Sequence, residues 1–260
     1  ISDEAWNQLD TEAADVLGKI LTARKLVDLS GPHGWDTAAV NLGHLEIKDS
    51  KATGGLPWGI RQVLPLIEVR VPLSLKQWEL DNIARGAGDA DIDALLDIAA
   101  EVGRFEDQAV FHGFKPGGIE GIAAASAHKA GKLPNDVEQY PQAVANAVKA
   151  LAHAGIGGPY ALVLDPDAWF ALKQSTKGGY PPSKAVDEIA DGGVHMSQAV
   201  KGAIVLSARG GDFELTVGKD FSIGYASHDR DSVELFLTES FTFRVLEPGA
   251  CDPGGGAHLE

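Results

Sequence analysis

The chain holds a single cysteine, Cys251. One thiol excludes an internal disulfide framework, so stability has to come from packing, and a reducing cytoplasm suits the chain best. Apolar residues make up 44% of the 260 positions, ample for a core without covalent staples. None of the apolar runs approaches the roughly 20 residues that cross a bilayer, so no membrane partner is expected. No basic segment leads into an apolar stretch at the start, and export by a cleaved signal is not expected. Basic residues are scarce, 22 Lys and Arg against 37 Asp and Glu, for a formal charge of -15. That balance opposes a nucleic-acid backbone, whose binding rests on cations displacing counterions. The plainer reading is that acidity keeps the chain soluble.

Catalytic signatures are missing too. There is no Gly-x-Ser-x-Gly elbow, no phosphate-cradling Gly-x-x-x-x-Gly-Lys-Ser/Thr, no His-Glu-x-x-His pair and no dinucleotide fingerprint. The histidines are scattered, and only His228 sits near acids, Asp229 and Asp231. A solvated loop explains that trio, because metal ligands converge from several elements. Glu106 and Asp107 are neighbours on a helical pattern, where successive side chains diverge by about 100°. They read as ion-pair or interface residues and not as an acid-base couple. Cys251 lies in a Pro/Gly-rich terminus without an obvious base. No catalytic residue, no metal ligand and no required cofactor is assigned.

What is present is patterning. Ser2 precedes Asp3 and Glu4 as an N-cap with acids in the first turn, and Ile1 is placed to staple against Trp6. Trp6, Leu9, Ala13, Val16, Leu17, Ile20 and Leu21 continue at helical spacing. Strand-like runs around Leu45 and Ile47 and from Val63 to Val71 flank the turn-rich Asp49–Pro57, predicting an extended hairpin arm. Ile92, Leu95, Leu96, Ala99, Val102, Phe105, Ala109 and Val110 predict a long, one-sided helix over 91–112, with acids around the rest of the wheel. Helices are expected at about Tyr140–Ala154, Pro166–Gln174 and Ser183–Ala190, with strands at Tyr160–Leu164 and Ala203–Ser207. Residues 125–214 thus read as a compact α/β insertion. Phe213, Leu215 and Val217, then Val233, Leu235 and Leu237, alternate with other residues at the period of half-buried strands, punctuated by Gly210-Gly211, Gly218 and Gly224. The tail Gly254–Glu260 is too poor in apolar residues to order itself.

Several separate motifs keep a common order: Arg24-Lys-Leu-Val-Asp-Leu-Ser-Gly31, Gly31-Pro-His-Gly-Trp-Asp36, Leu64-Pro-Leu-Ile-Glu-Val-Arg70, Trp78-Glu-Leu-Asp-Asn-Ile-Ala-Arg-Gly86, Phe105-Glu-Asp-Gln-Ala-Val-Phe111, Gly158-Pro-Tyr160 and the glycine-punctuated strands from Arg209 to Val245. From about Trp6 to Pro248 the chain resembles the encapsulins, shell proteins related to tailed-phage capsid proteins. The resemblance implies an α+β, phage-capsid-like fold with a peripheral domain, an extended loop and an axial domain. On this sequence these map to 1–124 (with the extended loop at 44–68 and the spine helix at about 91–112), to 125–214 for the axial domain, and to 215–260 for the closing strands and flexible tail. It also implies a non-catalytic subunit that assembles with copies of itself into an icosahedral nanocompartment, commonly of about sixty subunits. Such shells enclose a cargo enzyme with a C-terminal targeting peptide, often a ferritin-like protein or a haem peroxidase, in iron storage or oxidative-stress defence.

The resemblance carries site residues with it. Cargo-peptide binding falls on Leu17, Leu21, Arg24, Asp28, Asp220, Ile223 and Tyr225; ordinary core packing is the alternative for Leu17, Leu21 and Ile223. The five-fold pore loop falls on Ser175, Thr176, Lys177, Gly178, Gly179 and Tyr180, where five copies of Lys177 would form a positive collar. Leu56 and Trp58 near the arm's tip would anchor a neighbouring subunit, against the alternative of a mobile surface hairpin. Trp78 beside Arg70 would suit a stacked planar ligand such as a flavin, with packing as the alternative. Two further function classes remain: a phage major capsid protein that packages DNA, and a secreted bacteriocin or protease.

Overall fold

The computed structural model describes residues 1–129, 131–175 and 179–254. The first helix, α1 (Asp3–Ile20), starts where the Ser2 hydroxyl accepts from the Ala5 N–H at 3.2 Å, with Asp3 and Glu4 at the positive end of the helix dipole. Its buried stripe is Ala5, Leu9, Ala13 and Leu17. The chain leaves it through a 3-10 turn at Ala23–Lys25 and enters β1 (Asp28–Ser30). Gly31 follows at φ 120°, and a Cβ there would overlap the Val217 carbonyl. Only glycine lets this turn lie flat enough for the His33 N–H to reach that carbonyl at 3.0 Å.

Next come β2 (Ala39–Lys48) and β3 (Trp58–Pro65), which among the described residues pair only with each other. Ala39 faces Pro65 and Lys48 faces Trp58, a ribbon about 30 Å long at the usual strand rise. The arm therefore runs 39–65 and includes residues before 44. The run Val63–Val71 is two strands, because β4 (Ile67–Lys76) leaves the ribbon after Leu66 and joins a different sheet. Then follow α2 (Gln77–Ala84) and α3 (Asp93–His112), the spine expected over 91–112.

Two small strands, β5 (Gly113–Phe114) and β6 (Ile119–Glu120), and α4 (Ile122–Ala125) lead to α5 (Tyr140–His153), β7 (Tyr160–Leu164), α6 (Pro166–Gln174), α7 (Pro182–Ile189), β8 (Val194–Met196) and β9 (Ala203–Ser207). The closing elements are β10 (Phe213–Val217), β11 (Ser222–His228), β12 (Ser232–Val245) and β13 (Cys251–Asp252). In the larger sheet β12 is the hub: it pairs with β4 from Ser232 to Phe241, with β11 from Val233 to Thr238 and with β10 from Phe241 to Val245, and β1 lies parallel to β10. The second sheet has the order β13-β9-β7-β8.

Two apolar clusters result. One joins α1, α2 and α3 to the larger sheet through Leu9, Leu17, Leu80, Leu95, Leu73 and Leu235. The other runs from Phe111 and Ile122 through Leu151, Leu162 and Ile204 to Phe213 and Phe241. Three expectations change in this packing. Strand β10 belongs to the larger sheet, so the α/β insertion ends before Phe213 and not at 214. The segment Cys251–Asp252 is stitched to Leu206 and Val205 of the second sheet, so the stretch 215–260 contains more than closing strands and a loose tail. And α3 is not one-sided, because Glu106 and Asp107 are as buried as Ala99 and Val110.

Candidate functional site

The strongest convergence of charged side chains is built on the turn that ends α1. Asp107 accepts from the Thr22 and Ala23 N–H groups at 3.1 and 2.9 Å and from the Ser197 hydroxyl at 3.0 Å. A carboxylate reaching from α3 thus satisfies N–H groups that the 3-10 turn leaves free, and it fixes the direction in which Arg24 leaves the backbone. The Arg24 guanidinium grips Glu106, with Nε at 2.9 and 3.0 Å from its two oxygens and Nη2 at 2.6 Å from Oε2. The same Nη2 lies 2.6 Å from Glu239 Oε1, and Nη1 lies 3.0 Å from Asp220 Oδ1. The Phe221 ring covers the guanidinium, 4.9 Å from its carbon to the ring centroid.

Electrostatics follow from burial. Desolvation works against the Arg24 charge, yet the hydrogen bonds and charges of Glu106, Glu239 and Asp220 outweigh it and hold the guanidinium above its ordinary pKa. Burial, then the neighbouring Glu106 charge, push the Glu239 carboxyl well above the usual carboxylate range, although Arg24 pulls it down. Burial likewise pushes Asp107 up to about 6, against the lowering by its hydrogen bonds. Glu239 Oε2 is buried without a hydrogen-bond partner among the described residues.

Of the seven residues expected to hold a cargo peptide, the fold unites some and separates others. Arg24 and Asp220 are bonded, and Asp220 keeps its side chain 41% exposed. Ile223 is half-buried against the cluster that contains Leu17 and Leu21. Leu17 and Leu21 themselves are core, buried with Leu95 and Leu235, so they support the surface without forming it. Tyr225 is 50% exposed and its hydroxyl meets His228 Nδ1 at 2.5 Å. Asp28 lies elsewhere. It pairs with Glu214, which in turn faces Arg244 at the β10 end of the sheet, seven positions along β12 from Leu237, the partner of Ile223, or about 23 Å along the strand. Its carboxylate holds the Gly211 N–H at 2.5 Å. The sequence reading missed Phe221 and missed Glu239 as a partner of Arg24; an arginine with an apolar ring next to Asp220 was the available signal.

The arm presents apolar side chains to solvent along its length: Leu45, Ile47, Leu56, Ile60 and Val63 are all exposed, Ile47 by 72%. Trp58 is less free than Leu56, since its indole N–H donates to the Asp49 carbonyl at 3.0 Å. In the expected pore loop, Thr176, Lys177 and Gly178 lie outside the described residues. Ser175 donates to Glu138 at 3.0 Å, Gly179 has φ 80°, and the Tyr180 hydroxyl donates to Glu188 at 2.6 Å. The Arg70–Trp78 stack does not form. Arg70 covers Phe236 and Trp35 at 4.5 and 5.8 Å, and Trp78, 69% exposed, is met by Arg85 at 5.8 Å. Trp78 follows Arg70 by eight positions, across the end of β4 and the start of α2, and each meets a different partner. The His228 loop is solvated, with Asp229 capping Asp231 and Ser232, and no cluster of three metal-binding side chains occurs among the described residues. No described helix is long and apolar enough to cross a membrane. A separate cleft of about 540 Å³ lies between α5 and the second sheet, floored by Leu162 and Val205 and rimmed by Lys129 and Lys132; none of the seven expected residues lines it.

Comparison with known proteins completes the description of these surfaces. A family model described as "Encapsulating protein for peroxidase" matches residues 1–242. A type 1 encapsulin shell protein of Rhodospirillum rubrum is 47% identical over 259 residues, covering 97% of this chain and 92% of that protein. A type 1 encapsulin shell protein of Mycobacterium tuberculosis is 37% identical, covering 94% and 91%. Among solved structures, a virus-like particle from Pyrococcus furiosus superposes with a TM-score of 0.70 at 16% identity, covering 95% of this chain and 98% of that one. The capsid of Myoviridae phage XM1 superposes with a TM-score of 0.58 at 13% identity, covering 89% and 90%.

Proposed function

The chain belongs to the encapsulin shell-protein family, and on that premise we propose that it encloses a cargo enzyme docked at the Arg24–Asp220–Phe221–Ile223 surface. The family membership and the capsid-like fold make it a structural subunit that self-assembles into a closed nanocompartment, not an enzyme. The observation that carries the cargo reading is the side-by-side placement of half-buried Phe221 and Ile223 with the bonded, partly exposed Arg24–Asp220 pair. Apolar pockets edged by fixed charge suit a short extended peptide, with Tyr225 at the margin. Leu17 and Leu21 act from beneath, and Asp28 is too distant to share the same short contact.

A haem peroxidase is the favoured cargo, since the family description names a peroxidase; a ferritin-like iron-storing enzyme is the second candidate. The shell would hold about sixty copies of this chain, reside in the cytoplasm and contain no nucleic acid, as its charge of -15 suggests. The loop 175–180 would surround the five-fold pore. The test is co-expression with a fluorescent reporter that ends in the last residues of a peroxidase or ferritin-like protein encoded beside this chain. Reporter inside hollow particles, lost when Ile223 is changed to Asp while assembly persists, supports the reading. Equal loading of both shells sinks it. DNA in the particles would favour a genome-packaging capsid instead.

A further inference from the structure

Arg24 from the turn after α1, Glu106 from α3, Glu239 from β12 and Asp220 from the β10–β11 connection place three carboxylates around one cation. Both glutamate side chains are fully buried, and both share the guanidinium nitrogen Nη2 at 2.6 Å. No neighbouring element brings a second cation within ion-pair distance among the described residues. Strand β4 sets uncharged Val69 opposite Glu239, and its Glu68 and Arg70 occupy alternate positions, Arg70 lying over Phe236 and Trp35. Lys219, next to Asp220, lies over Trp35. On α3, Asp107 is occupied by Thr22, Ala23 and Ser197, and Arg104 lines a separate small cavity with Lys19. One cation cannot satisfy two buried anions, and the bare Oε2 of Glu239 is the costly atom if that group is ionised and a tolerable one if it is neutral.

We infer that this cluster is a proton-operated latch: neutral Glu239 lets Arg24 hold Glu106 and Asp220 together, and ionised Glu239 loosens the seam between the end of α1, α3 and β11. The direction is toward higher pH, since burial and the Glu106 charge raise the Glu239 carboxyl above its ordinary value. The closed segment keeps a proton that the open segment, with an ordinary carboxyl, releases. Closure is therefore most favoured below the ordinary carboxyl range and is lost progressively as pH rises toward the raised value. The latch stands whether or not a cargo peptide docks on Asp220 and Ile223.

Hydrogen–deuterium exchange of residues 219–225 in intact shells, corrected for the intrinsic pH dependence of exchange, tests it. Opening should increase by up to about tenfold per pH unit in the wild type and stay flat in Glu239→Gln, which imitates the neutral carboxyl. Infrared titration gives a second reading without touching Glu239: a protonated-carboxyl band should persist above the ordinary carboxyl range, remain when the other raised carboxyls, Asp107 and Asp252, are changed to Asn, and vanish on further alkalinisation. Parallel exchange profiles in the two proteins overturn the latch. So does the absence of that band in the wild type, which decides the matter even if Glu239→Gln shells fail to assemble.

Discussion

At the scale of single residues, Arg24 and Asp107 decide how the N-terminal helix is joined to the rest. Replacing Arg24 by Ala leaves Glu106 buried without its cation and Glu239 without its hydrogen-bond donor, a change that costs about 3–5 kcal/mol. Denaturant unfolding of Arg24→Ala should show a loss of that order, and Arg24→Lys should recover only part of it, because a lysine cannot reproduce the forked contacts. Asp107 gives a pH signature. Its folded pKa of about 6 lies above the ordinary value of 3.8, so the folded state retains a proton that the unfolded chain has released. Its contribution is complete below the ordinary value, is lost as pH rises to about 6 and is flat above, amounting to about 3 kcal/mol at most. The measurement is the pH dependence of stability across that window, which should be shallower in Asp107→Asn. Glu106 and Asp107 read from the sequence as ion-pair or interface residues; Glu106 pairs with Arg24, 82 positions away, whereas Asp107 makes no ion pair among the described residues and holds Thr22, Ala23 and Ser197, 84 to 90 positions away, and no spacing rule reaches that far.

Among the elements, helices and strands with a clear period were legible. Pro166–Gln174, Tyr160–Leu164 and Ala203–Ser207 occur as expected, because capping residues and turn breakers mark their ends locally. Where tertiary packing overrides local pattern, the expectations fail. The alternation of β12 holds to Leu237 and then gives way to burial of both faces, with Thr238 donating to the Val69 carbonyl at 2.9 Å and Ser240 accepting from the Lys219 N–H at 2.8 Å. Gly224 marks no turn. It sits within β11 opposite Phe236, and a Cβ would overlap that ring, so Gly224→Val should lower stability by about 1–3 kcal/mol in thermal or denaturant unfolding. The arm makes the opposite demand. A lone two-stranded ribbon is marginal in water, Ile47 and Leu56 on it are exposed, and we propose that a neighbouring subunit covers them. Ile47→Asp should keep the circular-dichroism spectrum of the subunit and shift it from particles to small oligomers on size exclusion, with about 2 kcal/mol or more lost per contact.

For the whole molecule, a subunit charge of -15 multiplies in a closed shell. Like-charged subunits repel, and salt screens that repulsion over a Debye length of about 10 Å at 0.1 M. The subunit concentration needed for assembly should therefore fall as ionic strength rises, read by light scattering; assembly weakened by salt would mean that interfacial ion pairs dominate instead. The sequence by itself determined the α+β class, the family, the presence of the arm and the lack of catalytic chemistry, since periodicity, glycine punctuation and motif order are all written along the chain. Tertiary structure alone decided that Leu17 and Leu21 are core, that Asp28 stands apart from Ile223, that Arg70 serves Phe236 and Trp35 in place of Trp78, and that two buried glutamates share Arg24. Which side chains meet across a sheet or between helices depends on register and packing among distant segments, and that information exists only once the chain has closed on itself.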